Sequence, residues 1–107
     1  MTPAQRKNFS RLLRPRHIAF IGGRDATIAI KEARRRGFSG QMLAVNPKRD
    51  ELAGGPCVAS IANLPEPPDA VYLAIPANGV VAALGELAAM GAGGVVCFTA
   101  GFKETGD

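Results

Sequence analysis

The chain has no tryptophan, one tyrosine and one histidine among its 107 residues. Five phenylalanines complete its aromatics, and most of them fall in apolar runs. Rings on which bases could stack are therefore scarce, and no nucleic-acid partner is expected. No apolar run approaches the roughly 18 residues of a bilayer span, which removes a membrane partner as well. The first seventeen residues hold no long apolar block of the kind a secretory signal needs. That opening is rich in arginine and free of acids, a composition shared with transit peptides. Phe9, Leu12 and Leu13 are spaced instead as a short helix packing onto the domain, and the cytoplasm is the expected compartment. Only two cysteines occur, Cys57 and Cys97, with no Cys-x-x-Cys spacing, and they read as buried free thiols. No internal repeat or low-complexity segment is visible.

The second half is nearly empty of positive charge. Residues 50–107 hold Lys103 alone against seven acids, a net −6, whereas residues 1–49 hold twelve Lys and Arg against Asp25 and Glu32, a net +10. The total of +4 conceals this division. A polyanionic partner for the first half follows: a phosphorylated cofactor, nucleic acid or an acidic protein surface. Arg34-Arg35-Arg36 has a plainer reading, since cations in a last helical turn complement the helix dipole without any ligand.

The stretch His17-Ile18-Ala19-Phe20-Ile21-Gly22-Gly23-Arg24-Asp25 organises the rest. Four apolar residues, two glycines and an Arg-Asp pair read as strand, tight turn and helix. A continuous apolar run suits a strand covered on both faces, as in parallel sheets. Glycine brings backbone close to a ligand, and the helix that follows offers its free N–H groups and positive dipole end to anions. Ahead of this stretch, residues 5–14 are expected to form a short lead helix ended by Pro15.

Downstream, Asp25 is expected to cap a helix that buries Ala26, Ala29, Ile30 and Ala33 and stops at Gly37, with Phe38 anchoring the return to the sheet. A strand over Met42–Val45 runs into the basic turn Asn46-Pro47-Lys48-Arg49-Asp50. Gly54-Gly55-Pro56 breaks the chain, Cys57-Val58 suggests a short edge strand, and Ser60 should cap a helical turn over Ile61–Leu64. Pro65, Pro67 and Pro68 make an extended connector. Ala70–Ile75 is a strand, and a helix over 78–90 should bury Val80, Val81, Leu84, Leu87 and Ala88 before Gly91. The last strand is Val95–Phe98. This alternation predicts one α/β domain, a Rossmann-like, doubly wound, mainly parallel sheet with flanking helices and the 17–22 strand at its centre. Four loops then meet at the carboxyl edge, where such sheets bind ligands: Gly22–Asp25, Asn46–Arg49, Ile75–Asn78 and Thr99–Phe102.

Two nucleotide-binding signatures are missing at that edge. A dinucleotide fold would need Gly-x-Gly-x-x-Gly and an acid ending the second strand, but the turn reads Gly22-Gly23-Arg24-Asp25-Ala26-Thr27 and the strand ends in Asn46. A phosphate loop is excluded because no Gly-Lys-Ser/Thr triplet occurs.

Leu13-Arg14-Pro15-Arg16-His17-Ile18-Ala19-Phe20-Ile21-Gly22 resembles the opening of the CoA-binding domain of NDP-forming acyl-CoA synthetases, relatives of the succinyl-CoA synthetase α subunit. Later landmarks follow in that family's order: Gly37-Phe38-Ser39-Gly40, Val45-Asn46-Pro47-Lys48, Ser60-Ile61-Ala62-Asn63-Leu64-Pro65, the Asp69–Ala77 strand with its Pro-Ala ending, and Thr99-Ala100-Gly101-Phe102-Lys103-Glu104-Thr105-Gly106. The resemblance covers about residues 12–107. It departs in one place. Only fourteen residues separate Gly22 from Gly37, and Arg24 stands where the family has a small residue.

The resemblance implies that coenzyme A is the ligand. Gly22, Gly23 and Arg24 would lie against it, Asn46, Pro47 and Lys48 would meet its nucleotide end, and Ile75, Pro76 and Ala77 with Thr99, Ala100 and Gly101 would line the pantetheine path. The family's reaction joins an acid to CoA at the expense of ATP or GTP, through an acyl phosphate and a phosphorylated histidine. That histidine and the ATP-grasp domain that holds the nucleotide, with Mg, belong to further domains, which would be this chain's partners in cis or in trans. The chain is therefore expected to be a single CoA-binding domain, truncated relative to the family, with no catalytic residue or metal site of its own. His17, at the opposite end of the first strand, is expected to be structural or superficial. A regulatory acyl-CoA-sensing domain fused to a lysine acetyltransferase, or another nucleotide-binding module, is the alternative.

Overall fold

The computed structural model describes residues 2–7, 14–49 and 51–97. Its framework is a six-stranded sheet in the order β3-β4-β2-β1-β5-β6, made of β1 (His17–Gly22), β2 (Gln41–Val45), β3 (Glu51–Leu52), β4 (Gly55–Val58), β5 (Ala70–Ala74) and β6 (Gly94–Cys97). All neighbours are parallel except β3, which pairs antiparallel with β4 at one edge. Helix α1 (Arg24–Arg35) links β1 to β2, and α2 (Val80–Met90) links β5 to β6. As expected, β1 is flanked by β2 and β5, so strand order reverses beside it.

Both sheet faces are apolar because each helix covers one. Phe20 and Ala44 pack with Ala26 and Ile30 of α1, and Leu52 joins them from the edge hairpin. On the other face Ile21, Leu43, Val45, Val71 and Leu73 pack with Ala83 and Leu87 of α2 and with Ile61 and Leu64. Burying a leucine of this kind contributes about 1.5–3 kcal/mol. Helix α1 ends as its glycine predicts. Gly37 has φ +86°, its N–H donates to the Arg34 carbonyl, and the Phe38 N–H donates to the Ala33 carbonyl. Those two bonds are the Schellman arrangement, which satisfies carbonyls that the helix leaves open. Phe38 then turns its ring against Gly40, where a side chain would collide with it.

Several expectations need correction. Asp25 does not cap α1; Gly23 holds the cap position and Asp25 lies in the first turn. The lead helix begins earlier, with residues 3–7 helical, and residues 8–13 lie outside the described residues. Thr2 and Gln5 exchange bonds, Thr2 N–H to Gln5 Oε1 at 2.8 Å and Gln5 N–H to Thr2 Oγ1 at 3.1 Å. This is a capping box, legible as Thr-x-x-Gln. Ser60 does occupy the cap of the 3₁₀ turn Ile61–Asn63, but its hydroxyl donates to Asn63 Oδ1 rather than accepting from backbone.

The edge is longer than a lone Cys57-Val58 strand. Ala53 and Gly54, with φ of 52° and 78°, form a two-residue turn that folds β3 back on β4. Positive φ at both central residues is what a type I′ hairpin requires. Arg34 steadies this hairpin by donating from Nη1 to the Ala53 carbonyl at 2.6 Å. The other two arginines of the run bond Glu32, at 2.8 Å each, and hold its carboxyl below the usual carboxylate range. The triplet is a helix-end and hairpin device.

Helix α2 corrects the expected inward face. Val81 is 81% exposed, Leu84 is 37% exposed and Ala88 is also outward, while Ala83 is buried. The helix is apolar on nearly every side, so periodicity could not single out the face that meets the sheet. Cys57 is half-buried and Cys97 exposed, which corrects the expected burial of the thiols. Phe98 lies outside the described residues.

Candidate functional site

The carboxyl edge of the sheet carries an open cleft of about 670 Å³ lined by Gly22, Gly23, Asn46, Pro47, Lys48, Arg49, Ala74, Ile75 and Pro76. Three of the four expected loops thus meet there, and Thr99–Phe102, the fourth, lies outside the described residues. The volume is in the range of small-molecule sites. Of the residues expected at the site, Gly22, Gly23, Asn46, Pro47, Lys48, Ile75 and Pro76 line the cleft. Arg24 and Ala77 sit one residue beyond it, opening α1 and the 3₁₀ turn Ala77–Gly79. Thr99, Ala100 and Gly101 fall outside the described residues. Arg49, expected on a converging loop though not as a named CoA contact, also lines the cleft, and so does Ala74, which was not expected there. Ala74 was legible only from register, being the β5 partner of Gly22.

Gly22 closes β1 at φ +139°, and a Cβ there would stand 2.2 Å from the Ala74 carbonyl oxygen. No side chain fits, so the residue permits β1 and β5 to end side by side at the point of strand reversal. Gly23 is different. A Cβ there would meet only the Asn46 amide nitrogen, at 3.8 Å, so the turn stays open on that side. Its carbonyl accepts the Thr27 N–H at 3.0 Å and the Thr27 hydroxyl at 3.1 Å, which fastens the first turn of α1. No side chain caps that end of the helix among the described residues. Its first N–H groups therefore remain open to an anion.

The second loop brings the charge. Lys48 and Arg49 are exposed and carry no ion pair among the described residues. Asn46 holds the loop from within. Its Nδ2 donates to the Gly22 carbonyl at 3.0 Å, and its Oδ1 accepts the Lys48 N–H at 2.9 Å. The third loop is apolar, and its Ile75 and Pro76 line the same cleft. The cleft so combines the cations Lys48 and Arg49 with apolar lining from Ala74, Ile75 and Pro76 and the two glycines of the first turn.

A family model described as "CoA binding domain" matches residues 16–105. The chain belongs to this family of CoA-binding domains. It is 41% identical over 106 residues to a trans-feruloyl-CoA synthase of an unspecified prokaryote, covering 94% of this chain and 15% of that protein. Against the ADP-forming acetate–CoA ligase I of Archaeoglobus fulgidus, identity is 38% over 101 residues, with 90% of this chain and 14% of the ligase covered. The CoA-binding domain therefore spans only about a seventh of the curated relatives it matches. Among solved structures, the acetyl-coenzyme A synthetase 1 of Candidatus Korarchaeum cryptofilum in complex with phosphate and ADP superposes with a TM-score of 0.77 at 28% identity, over 92% of this chain and 22% of that one. A Pyrococcus horikoshii protein of 23% identity and TM-score 0.69 shares the fold over 98% of this chain and 78% of its own.

His17 stands at the other end of β1 from the cleft. It is 4% exposed, so it is buried and not superficial, and its Nδ1 lies 3.7 Å from Glu66 Oε1. The nearby carboxylate of Asp69 accepts the Arg16 and His17 N–H groups at 2.8 and 3.3 Å, tying the start of β1 to β5. That end of the sheet is a structural clasp. Among the described residues no helix is long and apolar enough to cross a membrane, and no cluster of ligands could hold a metal.

Proposed function

We propose that the cleft binds coenzyme A, and that the chain serves as the CoA-binding part of an NDP-forming acyl-CoA synthetase. The observation that carries this reading is the meeting, in a CoA-binding family member, of two glycines, two exposed cations and apolar side chains in one cleft. In this reading Gly22 and Gly23 give the backbone approach, the open start of α1 and the Lys48 and Arg49 side chains hold phosphate charge, and Arg24 adds to that field. Ile75, Pro76 and Ala77 take the less polar pantetheine arm, and Thr99, Ala100 and Gly101 continue its path. The chain binds and aims the thiol. ATP or GTP, Mg and the phosphohistidine belong to other domains, supplied in cis or in trans. The relatives named above are ligases and synthases, which favours this over a sensing role. Two thiols with no disulfide between them fit a reducing compartment, the cytoplasm.

Calorimetric titration with CoA, dephospho-CoA, pantetheine and NAD tests the reading. CoA should bind more tightly than NAD, and more weakly as salt rises, because exposed phosphate contacts are screened within roughly 8–10 Å. Lys48→Ala should weaken CoA more than pantetheine. Equal affinity for CoA and NAD, or no response to Lys48→Ala, would show the basic loop to be only a solvated surface.

A further inference from the structure

We infer that Asn46 is a positioning residue, a strap that sets the Lys48–Arg49 loop against the glycine turn, and that it does not itself hold the ligand. This rests on the reading of the cleft as a CoA site, and it changes the role that resemblance assigns to Asn46. The side chain is already engaged at both ends. Its Nδ2 reaches from just past the end of β2 to the Gly22 carbonyl, 24 residues away, at 3.0 Å, and its Oδ1 accepts the Lys48 N–H two residues on, at 2.9 Å.

The backbone of Asn46 is held as firmly. Its N–H donates to the Val58 carbonyl at 2.9 Å, and its own carbonyl accepts the Cys57 thiol at 3.7 Å and the Arg49 N–H at 3.4 Å. Residue 46 therefore has its root in the sheet and its tip on the turn. An amide is the group that can do both jobs, because it donates and accepts at neighbouring atoms. A carboxylate would keep the bond to the Lys48 N–H but would set an acceptor against the Gly22 carbonyl. The strap fixes the Gly22–Gly23 peptide plane, from which α1 starts, relative to the loop that carries the cations. Phosphate-binding groups from two loops then stand at a set separation before any ligand arrives, which lowers the ordering cost of binding.

Two measurements test this. In the ligand-free protein, amide exchange should find the Lys48 N–H protected in the wild type and in Asn46→Asp, which keeps the acceptor, and exposed in Asn46→Ala. In CoA titrations, Asn46→Ala should weaken binding by on the order of tenfold, the worth of one well-made hydrogen bond. The Asn46→Ala/Lys48→Ala double variant should bind within about twofold of the weaker single variant, since groups acting through one another are not additive. Losses that multiply would mean that Asn46 touches CoA directly, and a Lys48 amide still protected in Asn46→Ala would mean that the strap does not exist. Either result overturns the inference. If the wild type fails to bind CoA, the proposed function falls, and the exchange data still decide whether Asn46 ties the loops together.

Discussion

Replacing Gly22 by alanine should be among the most damaging single-methyl additions in this protein. Two costs combine. The residue sits at φ +139°, where a side chain costs about 1–3 kcal/mol. The new Cβ would also stand 2.2 Å from the Ala74 carbonyl oxygen and 3.1 Å from its carbon. Carbon–oxygen contacts between adjacent strands settle near 3.3–3.6 Å, so β1 and β5 would have to part by about 1 Å. Both are interior strands of the sheet, and the atom in the way is backbone that no rotamer change can move. Overpacking of this sort adds about 1–3 kcal/mol, for a total of about 2–6 kcal/mol against a domain stability of roughly 5–15 kcal/mol. Gly37→Ala is the control. Its φ is also positive, +86°, but a Cβ there meets nothing within 4 Å, so only the backbone term of about 1–2 kcal/mol applies. Urea unfolding of the two variants, with the slope unchanged and the midpoint shifted, isolates the steric part. If Gly22→Ala loses no more than Gly37→Ala, the close approach of β1 to β5 is not a constraint and the account of the turn is wrong.

In the core, Leu73 is fully buried and Leu73→Ala should cost about 2–5 kcal/mol, whereas the 37% exposed Leu84 should change stability by less than about 1 kcal/mol on the same substitution, both read by denaturation. Equal losses would place α2 in a different rotation about its axis. The single tyrosine gives a clean alkaline titration. Burial against α1 and the charge of Asp25 push the Tyr72 phenol up, so it should ionise in the folded protein above the ordinary value near 10. The unfolded chain then loses its proton first, and stability should fall as pH rises past about 10. Absorbance of phenolate at or below the free-tyrosine midpoint would contradict that burial.

Much of this protein was legible in one dimension. Continuous apolar runs at 18–21, 42–45 and 70–75, each with a helix or turn signal after it, suit strands covered on both faces, and their alternation with helices points to a parallel sheet. Right-handed crossovers then place the first strand between the other two, so the convergence of the Gly22, Asn46 and Ile75 loops followed from topology alone. The strand and turn assignments rest on local chemistry, which the chain states residue by residue. Asn46 was legible as a loop residue but not as a strap, because its partner carbonyl is 24 residues away and register alone brings the two together. The rotation of α2 was undecided for a related reason: with apolar side chains on nearly all sides, only contact with the sheet selects Ala83 and Leu87 over Val81 and Leu84. The edge hairpin hid behind Gly54-Gly55-Pro56, which reads as a break until the Arg34 guanidinium is seen to hold its turn. Sequence determined which segments would pair and at which edge their loops would meet. Tertiary structure decided which side chains those loops spend on one another and which they leave free, because that depends on distances between segments that no local pattern encodes.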